Sequence, residues 1–223
     1  MRKNSILVVA AHPDDEVLGL AGTLCAHRDA GDQINILILA NGEDSRGKAV
    51  ADAPKRLAQA RAVADKLKAT VTMKDLPDNA FDSVPLLEIA HVVEDMVNKT
   101  QPTLVYTHHP YDLNVDHRLA CQAVLTACRP QPGHPVEKIL AFETLSSTEW
   151  QIKDHQQFRP VRYHNIEKYL NEKIDIIKIY KDELRQYPHS RSVEGIKILA
   201  QYRGLEAGLK AAEAFEVLRA IKR

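Results

Sequence analysis

Cysteine is scarce and unpatterned in this chain. Cys25, Cys121 and Cys128 are odd in number and form no CxxC pair. That excludes a disulfide framework and a thiolate metal knot, and leaves small core residues, the usage expected of a cytoplasmic protein. No apolar run approaches the roughly 18 residues of a membrane-spanning helix. The opening Met1-Arg2-Lys3-Asn4 leads straight into the first apolar run, which leaves no room for a signal peptide. An excess of one charge is also missing: 30 basic residues meet 30 acidic ones, and no basic block or stripe supplies a nucleic-acid footprint. Internal repeats, low-complexity tracts, a GxGxxG turn and a Walker glycine-lysine loop are all absent, so nothing marks a nucleotide-phosphate cradle.

What is present is concentrated in two short stretches. The first follows the apolar run Ser5-Ile6-Leu7-Val8-Val9, which reads as a strand buried on both faces. Directly after it come His12, Pro13, Asp14, Asp15 and Glu16. One of the aspartates would suffice to cap the following helix. An imidazole and three carboxylates so close together instead suit a bound cation, with a spare carboxylate beside it to act as a base. The second stretch, His108 to Arg118, follows a later strand and carries Asp112, Asn114, Asp116 and His117. A helix is expected from about residue 115, with His117 in its first turn and Asp116 placed to orient or tune a ligand. His, Asp and His with an open fourth position is a catalytic rather than a closed structural pattern.

The remaining pattern frames these stretches. Apolar runs at 5–11, 34–39, 70–73, 103–107 and 138–143 alternate with helical periodicities at 15–29, 54–68, 85–99 and 115–128. This alternation predicts an α/β, Rossmann-like doubly wound sheet, mainly parallel, with the strand-to-helix loops along one edge. A glycine at position 31 is placed to end the first helix. The chain is expected to form one domain, 1–223, with an α/β core over 1–150 and a helical part over 151–223. Residues 193–221 read as helix, interrupted by glycines. The C-terminal helices either pack on the sheet or carry a homo-oligomer contact. Arg46, in a loop after the second strand, is either a substrate contact or a solvated turn residue. Glu149 and Trp150, after the fifth strand, suit a sugar-binding wall, or an ordinary loop with the tryptophan as packing anchor.

With both stretches in place, the chain resembles the PIG-L/LmbE family of zinc-dependent N-acetylglucosamine-type deacetylases. The residues that carry the resemblance are Ala11-His12-Pro13-Asp14-Asp15-Glu16 and Asp116-His117. It spans about residues 6–149, and the segment around His189 and Arg191 resembles a bacterial subgroup. The resemblance implies that His12, Asp15 and His117 bind Zn²⁺ and that Asp14 is the general base. It implies removal of an N-acetyl group from an amino sugar or sugar conjugate. The alternatives are another small N-acyl or thiol-conjugate amide, or a non-catalytic sugar- or nucleotide-binding protein. One departure stands out. Many members carry a histidine where this chain has Asn114, which can donate a hydrogen bond to an oxyanion but supplies no proton. His109, Tyr111, His189 and Asp14 itself are the candidates for the acid.

Overall fold

The computed structural model describes residues 4–41 and 53–222. Among them a seven-stranded sheet runs in the order β3-β2-β1-β4-β5-β7-β6. The strands are β1 (Ser5–Ala10), β2 (Gln33–Ala40), β3 (Thr70–Leu76), β4 (Leu104–His108), β5 (Lys138–Phe142), β6 (Arg162–Asn165) and β7 (Ala212–Ala220). The helices are α1 (Asp15–Ala30), α2 (Ala53–Leu67), α3 (Leu86–Thr100), α4 (Val115–Ala127), α5 (Leu170–Ile177) and α6 (Val193–Glu206). β1 to β5 are mutually parallel where they pair.

The central strands are apolar at nearly every position because both faces are covered. Successive side chains of a strand point to opposite faces. Ile6 and Val8 of β1 therefore join one core with α1, α2 and α5. Leu7 and Val9 join the other with α3 and α4. Gly31, with φ 76°, ends α1, as the sequence pattern predicts.

The connection from β1 goes outward to β2, while β4 returns to the other side of β1. The sheet thus changes direction between β1 and β4, and ligands of open α/β sheets bind outside the carboxyl ends at such a switch point. The two chemistry-bearing stretches are the loops that leave these two strands.

The C-terminal part departs from the expected run of helix. α6 ends at Glu206, and residues 212–220 form β7, antiparallel to both β5 and β6. The run Ala212-Glu213-Ala214-Phe215 favours helix by local preference. It also alternates with a period of two, and pairing with the open edge of β5 prevails. Phe215 enters the core beside Tyr106, with ring centroids 5.2 Å apart. Among the described residues no helix is long and apolar enough to cross a membrane.

Candidate metal centre and catalytic pocket

The site begins with a backbone constraint. Asp14 has φ 119°, in the half of conformational space that favours glycine. The neighbouring Glu16 holds it there, because its Oε2 accepts the Asp14 N–H at 3.0 Å. Tyr180, fully buried, donates its hydroxyl to Glu16 Oε1 at 2.8 Å. Burial raises the Glu16 carboxyl to about 8, against the hydrogen bonds from Tyr180 and the Asp14 N–H. The turn places Asp15 beneath His12, whose backbone N–H donates to Asp15 Oδ2 at 2.9 Å.

Three side chains converge. Asp15 Oδ2 lies 3.3 Å from His12 Nδ1 and 3.3 Å from His117 Nε2. One ligand atom from each of the three falls within 4.8 Å of the others. Asp15 Oδ1 is buried without a hydrogen-bond partner. A buried carboxylate with one oxygen orphaned, and the other facing two imidazole nitrogens, is costly unless something cationic completes it. His12, Asp15 and His117 therefore fit a divalent ion, with the His-and-carboxylate chemistry of an open zinc site.

The far side of each imidazole is tied to a carboxylate. His12 Nε2 lies 3.0 Å from Asp116 Oδ2 and 3.0 Å from Asp78 Oδ1. His117 Nδ1 lies 3.1 Å from Asp112 Oδ1. Such partners fix tautomer and ring orientation and raise ligand basicity. Asp116 thus serves His12, on the other loop, rather than its sequence neighbour His117. It also accepts the backbone N–H groups of Asn79 (2.6 Å) and Phe81 (3.0 Å), pinning the 79–81 turn to the start of α4. His12, Asp78 and Asp116 form a second close group, but those backbone bonds already occupy Asp116.

The electrostatics favour positive charge here. Burial opposes protonation of His12, yet hydrogen bonds to Asp116, Asp15 and Asp78 hold its pKa well above the ordinary value. Burial likewise opposes protonation of His117, but Asp15 and Asp112 raise it to about 9. Burial would raise Asp15, and the charges of His117 and His108 together with hydrogen bonds from His117 and His12 hold it well below the usual range. His108 is different. Burial, with His117 stacked on it at 3.9 Å, lowers it to about 3, and its neutral Nε2 accepts the Ala11 N–H at 2.9 Å.

Beside the triad lies a cavity of about 530 Å³, within the size range of small-molecule sites. Asp14 opens onto it and is raised to about 6, because burial outweighs the charge of Arg191. Arg191 Nη1 donates to Asp14 Oδ2 at 2.8 Å, while its Nε donates to Leu145 O at 3.1 Å. Asn114 caps α4 by accepting the Asp116 N–H at 2.8 Å, and its Nδ2 donates to Asn79 Oδ1 at 3.0 Å. It still lines the cavity. So do Trp150, just over half exposed, and His189, whose ring meets the indole edge-on at 5.7 Å. Glu149 instead accepts the N–H groups of Ser146 (2.6 Å) and Ser147 (3.2 Å) and shapes their loop. Arg46 lies outside the described residues. His109 is buried against Glu216 and the Gln156 carbonyl, away from the cavity, and Tyr111 is not on its wall.

Sequence reasoning passed over several members of this site. Asp112 collects the Asn114 N–H and the hydroxyls of Ser147 and Thr148 as well as His117. Arg56 and Glu183 form an ion pair on the cavity wall. Tyr180, His108 and Asp78 belong with them. For Asp112 and His108 the signal is their place in the rich run before α4; the others carry no local signal.

A profile of the PIG-L family, described as GlcNAc-PI de-N-acetylase, matches residues 7–128, more than half of the chain. The protein belongs to the PIG-L family. The matched span holds both ligand loops and the helix that carries His117. Among curated proteins, the chain is similar to the uncharacterized deacetylase YaiS of Escherichia coli (strain K12), at 27% identity over 188 residues, covering 81% of this chain and 92% of YaiS. Among solved structures, it is similar to the N,N'-diacetylchitobiose deacetylase from Pyrococcus horikoshii, with a TM-score of 0.78 and 17% identity over 96% of this chain and 83% of the other. It is as similar to GalB, the 4-carboxy-2-hydroxymuconate hydratase of Pseudomonas putida KT2440, with a TM-score of 0.79 and 21% identity over 99% of both chains. At these identities the structural likeness shows the fold, and the chemistry must come from the site.

Proposed function

We propose that this PIG-L family member is a zinc-dependent N-deacetylase acting on an N-acetylated amino sugar or sugar conjugate. The observation that carries the reading is a second carboxylate, Asp14, next to a His-Asp-His triad, held by Arg191 through one oxygen and facing the cavity. His12, Asp15 and His117 would hold the zinc ion, which would supply Lewis acidity for acidifying water and polarising an amide carbonyl.

The chain's own residues do the rest. Arg191 engages Asp14 Oδ2, so Asp14 Oδ1 accepts the proton of the attacking water. A carboxyl raised to about 6 is close enough to neutrality to take that proton and to give it back. The water oxygen bonds to the acetyl carbon, the C–N bond breaks, and the proton passes from Asp14 to the leaving amine nitrogen. Asn114 Nδ2 has a second N–H and donates it to the carbonyl oxygen as negative charge develops there. His189 is the other proton donor at the cavity: its Nδ1 accepts the Arg191 N–H at 3.0 Å, so its Nε2 carries the proton. Trp150 offers its indole face to a sugar ring. The names of YaiS and of the chitobiose enzyme support deacetylation.

A second reading comes from the GalB likeness, since the same activated water can add to a conjugated double bond. The test separates them. Metal-stripped protein, with and without Zn²⁺, is assayed for amine release from a panel of N-acetylated sugars and for hydration of a 2-hydroxymuconate. Zinc-dependent amine release is expected. Hydration without amine release would overturn the proposal.

A further inference from the structure

Helix α1 is broken. Leu20 has φ −151° and ψ 20°, so the turn carrying Asp15 and Glu16 is separate from the longer half that follows. A break of this kind exposes backbone groups on both sides, and buried ones need partners. Two side chains from the C-terminal part supply them. Glu213 of β7 accepts the N–H groups of Gly22 (3.0 Å) and Thr23 (2.6 Å), one on each carboxylate oxygen, and so caps the second half. Lys173 of α5 donates to the Leu18 carbonyl on the near side of the break at 2.7 Å and to Glu213 Oε1 at 2.6 Å. Both residues are only 4% exposed.

The flanking glycines leave the helix no freedom to shift. A Cβ on Gly19 would lie 2.4 Å from the Phe142 ring, and one on Gly22 would lie 2.8 Å from Ile166. The near side of the break is one helical turn from the ligand Asp15. At the other end of the same turn, Tyr180 and Glu16 pin Asp14. The catalytic turn is thus fastened at both ends by residues beyond 170.

A buried ion pair rarely adds stability over apolar residues of the same volume, so what this pair contributes is read from the backbone groups it holds at the break. We propose that Lys173 and Glu213 are positioning residues for the reaction, fixing the angle between the Asp14–Gly19 turn and the rest of α1. The role in catalysis rests on the deacetylase reading; the role in geometry does not. Misplacing a reacting group by about 1 Å can cost on the order of 100-fold in rate.

The experiment uses the full chain with three variants: Glu213→Gln, Lys173→Met and the double variant. Two readouts are taken. The first is kcat and KM on the best N-acetylated sugar found for the unmodified protein. The second is amide hydrogen exchange over residues 12–24 in metal-stripped protein, which needs no substrate. The expected result is a fall in kcat of about 10- to 100-fold with KM within about 2-fold, and faster exchange at 14–23 while β1 and β2 stay protected. Glu213→Gln keeps shape and one acceptor, so it reports even where the double variant does not fold. Unchanged exchange at 14–23, or kcat within 2-fold of the unmodified protein in a folded variant, would overturn the proposal. If the unmodified protein releases no amine from any sugar, the deacetylase reading falls, and the exchange data alone decide whether the pair holds the turn.

Discussion

Replacing Asp112 by Asn tests how far a residue set behind His117 governs the candidate metal centre. Four donors converge on this carboxylate. Oδ1 receives the Asn114 N–H at 2.9 Å, His117 Nδ1–H at 3.1 Å and the Ser147 hydroxyl; Oδ2 receives the Thr148 hydroxyl. Burial opposes its charge, yet hydrogen bonds from His117, Ser147 and Thr148 and the charge of His117 hold its carboxyl well below the usual range. An asparagine keeps the shape and must turn its amide nitrogen towards one of the donors. The least costly choice is Thr148, whose Oγ1 already accepts the Thr144 N–H at 2.8 Å and would have to give up donating. Hydrogen bonds to a charged group contribute about 1.5–3 kcal/mol. At this chain length each kcal/mol shifts Tm by about 2–4 °C, so a fall of about 3–12 °C is expected. His117 also loses the anion that makes its Nε2 a good donor. Loss of such a partner costs about 10- to 100-fold in metal affinity. Competition with a chromophoric chelator measures the zinc Kd, and a thermal melt of stripped protein measures stability. A zinc Kd within 2-fold of the unmodified protein, with an unchanged Tm, would refute the assignment of Asp112 as the orienting anion of His117.

Three further outcomes are expected. Asp14→Asn should retain zinc, because the triad is intact, and lose about 100-fold or more in kcat; metal analysis beside turnover checks this, and near-normal turnover places the base elsewhere. Gly19→Ala puts a Cβ 2.4 Å from the buried Phe142 ring, an overpacking cost of about 1–3 kcal/mol against roughly 1 kcal/mol of helix preference; urea unfolding should show a net loss, and a stabilised variant would mean that the strand and helix separate easily. Burial, with Arg162 close by, lowers His164 to about 4. Between pH 6.5 and 4 the unfolded chain binds the proton and the folded one does not, so stability falls as pH drops through that window, by at most about 3 kcal/mol. His164→Gln should flatten that part of the profile, and an identical slope would exclude His164 as its source.

Much of the fold is readable in the sequence because the central strands are buried on both faces. Ile6 to Val9 and Ile34 to Leu39 cannot be anything but interior, and their spacing from amphipathic stretches forces parallel crossovers. His12, Asp15 and His117, the candidate ligands, are visible for a related reason: they lie in the two segments that follow β1 and β4, the strands at the switch point. Less visible is anything decided by a partner far along the chain. Glu213 reads as one more helix-favouring residue and becomes a cap only because β7 carries it to α1. Tyr180 reads as an ordinary tyrosine within a helical run, and only the packing of its segment over α1 brings it to Glu16. Asp116 shows the limit within the motif itself. Next to His117 in sequence, it faces His12 across the site because the first turn of a helix sends adjacent side chains in different directions.

The insertion of β7 between β5 and β6 has a consequence for the order in which the protein can be made. While residues up to 142 emerge from the ribosome, β5 can pair with β4 and the parallel core can form. The other edge of β5 then stays open until residues 212–220 arrive, and β6 has no strand to join in the meantime. During that interval the row of backbone groups on β5 is a ready template for any passing strand. A released chain truncated before residue 212 should therefore aggregate or recruit chaperones far more than one that carries residues 212–220, and β7 is the strand that covers this edge of β5.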